Sequence, residues 1–370
     1  MKLLVITDTT PVLAGYGEGS VVYHEIKALY DGGVLAGVIG NFGGKTLGFG
    51  VPEFDNNPNL LGIPRHPFTI DFLTSTYLDE VEFDVVYFNG NGFYNTCRLL
   101  DSRTKVIIDH PAHNLDMSIE EFGRLGLRYP FSHMTDPFLL EKFLYPLKHA
   151  DLVICPSNCS KKYTIERFGV DEKKCIVIPH GCEVPVRSKS KEEKLPRTLT
   201  ALNVGQLNPD KGHFYLVKAW RELKSANFEG KLILAGGGTH QIPIAFPPAP
   251  PDMEALGYVE PNWRLQQLYY DASVYVQPSV TEGFGIVVLE AMAHCRPVVV
   301  TNTTGASELV MDGENGFVIP NRDPEAIKEK ILFFRANPDE IKRMGANGRA
   351  VAEKYPWTSV EKQILEAVRE

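Results

Sequence analysis

Short apolar runs rich in β-branched residues recur along the chain: KLLVIT, FDVVYFNG, KVIIDH, DLVICPS and CIVIPHG, then ALNVG, KLILAGG, ASVYVQPS, RPVVVTN and GFVIP. Their apolar positions are continuous instead of alternating, the pattern of strands covered on both faces. Segments with helical spacing, such as SVVYHEIKALY and FYLVKAWRELK, fall between them. Each half therefore reads as strand–helix units repeated around a parallel sheet, which predicts two doubly wound α/β domains. Apolar periodicity vanishes in CEVPVRSKSKEEKLPRT, where Lys, Glu, Ser and Pro take over. The expected divisions are a domain over 1–181, a linker over 182–197 and a second domain over 198–355. THQIPIAFPPAPPD, residues 239–252, clusters prolines that forbid a central strand and reads as a surface loop. In the tail YPWTSVEKQILEAVRE, Val360, Ile364, Leu365 and Val368 share one helical face, so residues 356–370 should pack on the body.

A length of 370 residues suits two domains, each able to bury a full core. With 44% hydrophobic residues, 23% charged and a formal net charge of −8, no basic field points to nucleic acid, and an anionic ligand would need locally placed donors. The opening MKLLVITDTT carries a short apolar run cut off by Asp8, which reads as a first strand and not as a signal peptide. No stretch reaches the roughly 18 apolar residues of a membrane-spanning helix. Six cysteines, with Cys155, Cys175 and Cys295 inside or beside apolar runs, suggest reduced core thiols in a cytoplasmic protein. Cys155, Cys159, Cys175, Cys182 and His180 lack regular metal-ligand spacing. No aspartate pair suited to chelating magnesium with a diphosphate stands at a strand end, so no metal is implied.

Ligands of open α/β sheets sit beyond the carboxyl ends of the strands, where helix N-termini favour anions. That directs attention to Thr7–Gly19, His110–Asn114, Gly205–Gly212, Gly236–Thr239 and Ser279–Gly285. GYGEG, residues 15–19, could let a phosphate approach the backbone, or could be a plain turn; the spacing of the dinucleotide fingerprint is absent. GQLNPDKGHF, residues 205–214, offers Lys211 just before a helix, where it can neutralise a phosphate as a point charge. TEGFGIVVLE, residues 281–290, should place Glu282 in a loop and Glu290 inside a helix, with the N–H groups of Phe284, Gly285 and Ile286 at its start. The bland alternative is a capped core helix with an acid favoured by its dipole. His113, His180 and His294 read as structural or exposed. The aromatic stretch 129–148 reads first as a core helix plus a loop, and second as a surface for a lipid-linked acceptor.

The E-x7-E spacing of Glu282 and Glu290, the pair Lys211–Gly212, PSNCSKKYTIERFGV followed by IPHG, and TNTTGASELVMDGENGFVIP together resemble glycosyltransferase family 4. The resemblance covers most of the C-terminal half; in the N-terminal half it rests on GYGEG and IIDH. It implies the GT-B fold, two Rossmann-like domains facing across a cleft, with residues 356–370 crossing back to the first. The implied activity is retaining, metal-independent transfer of a hexose from a UDP- or GDP-linked donor to a glycan, lipid-linked or small-molecule acceptor, with no further cofactor. Location would be cytoplasmic, with room for peripheral membrane contact. By the same resemblance Glu290 holds the ribose hydroxyls and Glu282 lies beside the donor sugar. Phe284, Gly285 and Ile286 give main-chain contacts to sugar and phosphate, and Lys211 binds the diphosphate. Gly15 and Gly17 form a loop near the phosphates, and His110 faces the donor sugar. One departure stands out. Where the family carries an arginine, this chain has Gln206, and a neutral amide cannot supply the same charge to a leaving diphosphate. A sugar-nucleotide-binding protein without transferase activity is therefore the first rival reading, and a nicotinamide-dependent oxidoreductase the second.

Overall fold

The computed structural model describes residues 1–7, 18–40, 60–62, 83–90, 93–110, 114–127, 129, 136–186, 198–238, 249–260 and 262–370. Gly15, Gly17 and His113 lie outside them, as do 187–197 of the expected linker and 239–248 of the proline-rich loop. The chain divides into two units, one made of 1–112, 130–180 and 357–370, the other of 113–129 and 181–356.

The first unit is built on a sheet of β1 (Leu3–Thr7), β2 (Leu35–Gly40), β3 (Leu60–Gly62), β4 (Val85–Asn89), β5 (Lys105–Asp109), β6 (Leu152–Cys155) and β7 (Cys175–Val177). Its spatial order is β3-β2-β1-β4-β5-β6-β7, and every pairing is parallel. All residues of β1 and β4 are buried, as continuous apolar runs require. The second unit repeats the design with β8 (Leu199–Val204), β9 (Gly230–Ala235), β10 (Met253–Gly257), β11 (Val274–Gln277), β12 (Val298–Thr301) and β13 (Gly316–Ile319) in the order β10-β9-β8-β11-β12-β13. Each order reverses direction once, between β1 and β4 and between β8 and β11, which is where a doubly wound sheet opens a crevice for ligands.

In the first unit, helix α1 (Glu18–Asp31) meets the chain's last helix, Trp357–Arg369. Trp357, Val360, Ile364, Ala367 and Val368 form the buried face of that last helix. The His24 ring stacks on Trp357 at 4.2 Å, and His24 Nδ1 lies 2.7 Å from Glu361 Oε1. Helix α2 (Pro137–His149) buries Leu144 and Leu147 in the sheet's core cluster, so this part of the aromatic stretch is a core helix. Among the described residues no helix is long and apolar enough to cross a membrane. All six cysteines are free, and burial pushes the Cys155 thiol up to about 12.

The helix Leu115–Arg124 comes from the first half of the sequence yet packs in the second unit. Asn114 caps it by accepting from the Met117 N–H at 3.1 Å, and its own N–H donates to Thr281 Oγ1 at 2.7 Å. Glu121, fully buried, accepts from Tyr215 Oη at 2.7 Å and from Arg322 Nε at 2.8 Å. Removing one partner of a buried charge is expensive because the other is left unpaired. Arg322→Met should therefore lower stability by about 2–3 kcal/mol, less than the full buried-pair penalty because Tyr215 still donates to Glu121 and Arg124 Nε stays 3.8 Å from it. Urea unfolding measures it, and a midpoint equal to wild type would show that this contact contributes nothing.

Candidate functional site

At the switch point of the second sheet, the chain leaves β8 through a loop that ends in a 3-10 turn, Pro209–Lys211. Asn208 caps this turn by accepting from the Lys211 N–H at 3.2 Å. Gly212 follows with φ +64°, and a Cβ there would stand 1.8 Å from the Pro278 carbonyl oxygen, so only glycine allows the turn to rest on the backbone leaving β11. The Val280 N–H donates to Asp210 O at 2.7 Å and laces the two loops together. This packing delivers the Lys211 ammonium to the Glu282 carboxylate, Nζ donating to Oε2.

Glu282 is held from other sides as well. Its carbonyl accepts the Gly305 N–H at 3.1 Å, and its Oε2 also accepts from Gln277 Nε2 at 3.2 Å. Gln277 closes β11 and is buried, with its Oε1 facing Tyr275 Oη at 2.7 Å. The same phenol lies 3.1 Å from the Val204 carbonyl of β8. Burial lifts Tyr275 well above its ordinary value, so it remains a donor across the working pH range.

Helix α3 (His213–Ser225) follows the lysine turn, α4 (Asn262–Asp271) precedes β11, and α5 (Ile286–Ala293) follows the Glu282 loop. Gly285, φ +91°, is the N-cap of α5, and no side chain caps this end. Phe284 and Gly285 are buried and Ile286 half-buried. Glu290 lies inside α5, 4% exposed among apolar neighbours, and Tyr269 Oη of α4 donates to its Oε2 at 2.9 Å. Burial pushes the carboxyl up to about 8, against the Tyr269 hydrogen bond that favours the ion, with the charge of Glu183 adding to the rise. His294 completes the scaffold. Its Nδ1–H donates to the Glu290 carbonyl at 2.7 Å, its ring stacks on Tyr269 at 5.0 Å, and burial pulls it down to about 4.

Three of the sequence candidates, Lys211, Glu282 and Glu290, thus share one end of one sheet, with Tyr275 feeling the charge of both acids. Gln206 is exposed in the loop after β8. His110 belongs to the other unit, buried where β5 ends, its ring 5.7 Å from that of Phe168. There, Asn89 Nδ2 donates to Glu25 Oε2 at 3.0 Å and to Asp109 Oδ2 at 3.1 Å. Burial, then the like charge of Asp109, raises Glu25 well above the usual carboxylate range. Sequence reading passed over Tyr269, Tyr275 and Gln277; the one available signal was a glutamine ending the apolar run VYVQ. The second unit's arrangement offers an ammonium and a helix N-terminus to an anion, and a carboxylate acceptor to hydroxyl groups. Among the described residues no group of three or more His, Cys, Asp or Glu could hold a metal ion.

Two family models match the chain, Glycosyltransferase Family 4 over residues 17–184 and Glycosyl transferases group 1 over residues 187–351. An uncharacterized glycosyltransferase of Methanocaldococcus jannaschii is 30% identical over 233 residues, 61% of this chain and 63% of that protein. The O-antigen chain mannosyltransferase B of Escherichia coli is 28% identical over 283 residues, 70% of this chain and 71% of its own. The match thus spans about three fifths of the first of these relatives. Among solved structures, Anabaena HepE in complex with UDP-glucose superposes with a TM-score of 0.75 at 19% identity, covering 100% of this chain and 99% of that one. WaaG, a glycosyltransferase of lipopolysaccharide biosynthesis, gives a TM-score of 0.73 at 14% identity, over 98% and 99%.

Proposed function

Because this chain belongs to glycosyltransferase family 4 and has the GT-B fold, we propose that it moves a hexose from a nucleoside-diphosphate sugar to an acceptor hydroxyl with retention at the anomeric carbon. The observation that carries this reading is the Lys211–Glu282 pair at the β8–β11 switch point, with Glu290 buried in the helix that follows the Glu282 loop. Glu290 is assigned to the ribose hydroxyls and Lys211 to the diphosphate. The uncapped start of α5, with Phe284, Gly285 and Ile286, is assigned to phosphate and sugar, and Glu282 to the sugar. Gly15 and Gly17 are assigned to the phosphates, and His110 to the sugar-transfer step. In the reaction the anomeric carbon–oxygen bond breaks and its electron pair leaves on the diphosphate. The acceptor oxygen then bonds to the same face of that carbon while its proton passes to a departing phosphate oxygen. Lys211 and helix N–H groups meet the growing charge. HepE is a structural neighbour seen with UDP-glucose, which favours a UDP-linked hexose over a GDP-linked one.

A thermal-shift panel of UDP- and GDP-sugars tests the reading, since a ligand at 100 times its Kd adds about 2.7 kcal/mol. A sugar nucleotide of the panel should raise Tm and then be turned over with release of its diphosphate. Glu282→Gln should lower that turnover about ten- to a hundredfold while leaving UDP affinity undiminished, as expected of a contact that strengthens in the transition state. Failure of every sugar nucleotide to shift Tm would reject the proposal. Binding without turnover would favour the second reading, a sugar-nucleotide-binding protein, for which the exposed Gln206 in place of the family's arginine speaks.

A further inference from the structure

Lys211 and Glu282 are already paired in the ligand-free protein, which sets a problem for donor binding. A diphosphate that takes the ammonium removes the cation from Glu282 and sets a second anion beside it. A carboxylate in that position tends to swing away from the phosphate, since like charges a few ångströms apart repel. A neutral donor held in place can retain it, because it attracts the phosphate less than a cation would. Gln277 is such a donor. Its Nε2 lies 3.2 Å from Glu282 Oε2, the same oxygen that Lys211 engages.

The glutamine is itself immobilised. It is 2% exposed, at the last position of a central strand, and Tyr275 Oη meets its Oε1 at 2.7 Å. The orientation of the amide is dictated by what it faces: turned over, its carbonyl would confront the Glu282 carboxylate. Tyr275 is fully buried, and its one hydroxyl proton lies between Gln277 Oε1 and the Val204 carbonyl, 3.1 Å away, with the shorter contact to the amide. The backbone of Glu282 is tied to Gly305, so the side chain is the part of this residue left to be placed. We propose that Gln277, seated by Tyr275, is a positioning residue that keeps the Glu282 carboxylate in place when the donor diphosphate claims Lys211.

This inference rests on the roles assigned to Lys211 and Glu282, and a double-mutant cycle separates it from them. Binding is measured by calorimetry with UDP, and turnover as UDP released from UDP-glucose, or with GDP and GDP-mannose if the thermal panel selects guanine. Gln277→Met keeps the volume and removes the donor. Its kcat should fall about tenfold or more, the worth of a hydrogen bond to a charged group, with UDP affinity within about twofold of wild type. In a Glu282→Gln background the same change should have no further effect on kcat. A merely structural glutamine would depress both backgrounds equally, and that result, or parallel loss of UDP affinity and turnover, overturns the proposal. Unchanged kcat in Gln277→Met overturns it as well. If Glu282→Gln alone turns over like wild type, the assignment of Glu282 falls first and takes this inference with it.

Discussion

Lys211→Met should weaken binding of a nucleoside diphosphate by at least about tenfold, or 1.4 kcal/mol. Lys211 is the cation that the lysine turn delivers to the β8–β11 crevice, and Gly212 leaves that turn no other seat. The loss should be specific to the diphosphate, so UMP affinity should fall less than UDP affinity. It should also shrink as salt rises, because the charge is only partly buried and is screened. The structure adds a second expectation. Since the ammonium must leave Glu282 to meet the phosphate, Glu282→Gln should bind UDP as tightly as wild type or more tightly. Stability should fall by no more than about 1 kcal/mol in Lys211→Met, because Glu282 keeps some access to solvent and Gln277 still holds the acid. Calorimetry with UDP and UMP at two salt concentrations measures all of this. Equal UDP affinity in mutant and wild type would remove Lys211 from the donor site.

All ten apolar runs of the sequence are strands, because a continuous run covered on both faces leaves few alternatives. Among the described residues three strands escaped, each for a physical reason. In β2, LAGVIG, two glycines and an alanine dilute the β-branched signal. β3 has only three residues, and β10, MEALG, is an edge strand with a half-exposed or exposed side chain at every position. The grouping of 113–129 with the second unit had no local signature. It is set by Glu121 reaching Arg322 and Asn114 reaching Thr281, contacts 201 and 167 positions apart in sequence. The site divides in the same way. Lys211, Glu282 and Glu290 were visible as charged residues set among glycine and apolar positions after strands. Tyr269 and Tyr275 were not, since a tyrosine in an apolar segment is ordinarily core, and its hydroxyl finds a use only once the fold brings an acceptor to it. The pairing of Lys211 with Glu282 likewise belongs to tertiary structure, and it changes what each residue does before a ligand arrives.

Glu290→Gln should move stability and binding in opposite directions. The folded carboxyl titrates at about 8 and the unfolded one near 4.5, so between those values the folded chain holds a proton that the unfolded chain has lost. Stability therefore falls as pH rises through that window, by on the order of 4 kcal/mol at pH 8, and is not affected by this group below about pH 4.5. Glutamine is close to an isostere of the protonated acid, so the mutant should match wild type at about pH 4 and exceed it by several kcal/mol at pH 8. Nucleotide binding runs the other way. Ribose hydroxyls donate to the ionised acid, so wild-type affinity for UDP should rise with pH from 6 to 8. Binding near pH 7 should release up to one proton, seen in calorimetry as a dependence on buffer ionisation heat. In Glu290→Gln that contribution should vanish, most cleanly with UDP-glucose, which lacks the terminal phosphate proton of UDP that titrates at about pH 6. Affinity for UDP and UDP-glucose should drop alike by about ten- to a hundredfold, the worth of a hydrogen bond to a charged group. Both signs are required. A mutant destabilised at pH 8 would mean that the acid is ionised and well paired in the free protein, and a mutant with normal UDP affinity would mean that Glu290 is a buried acid with no ribose to hold.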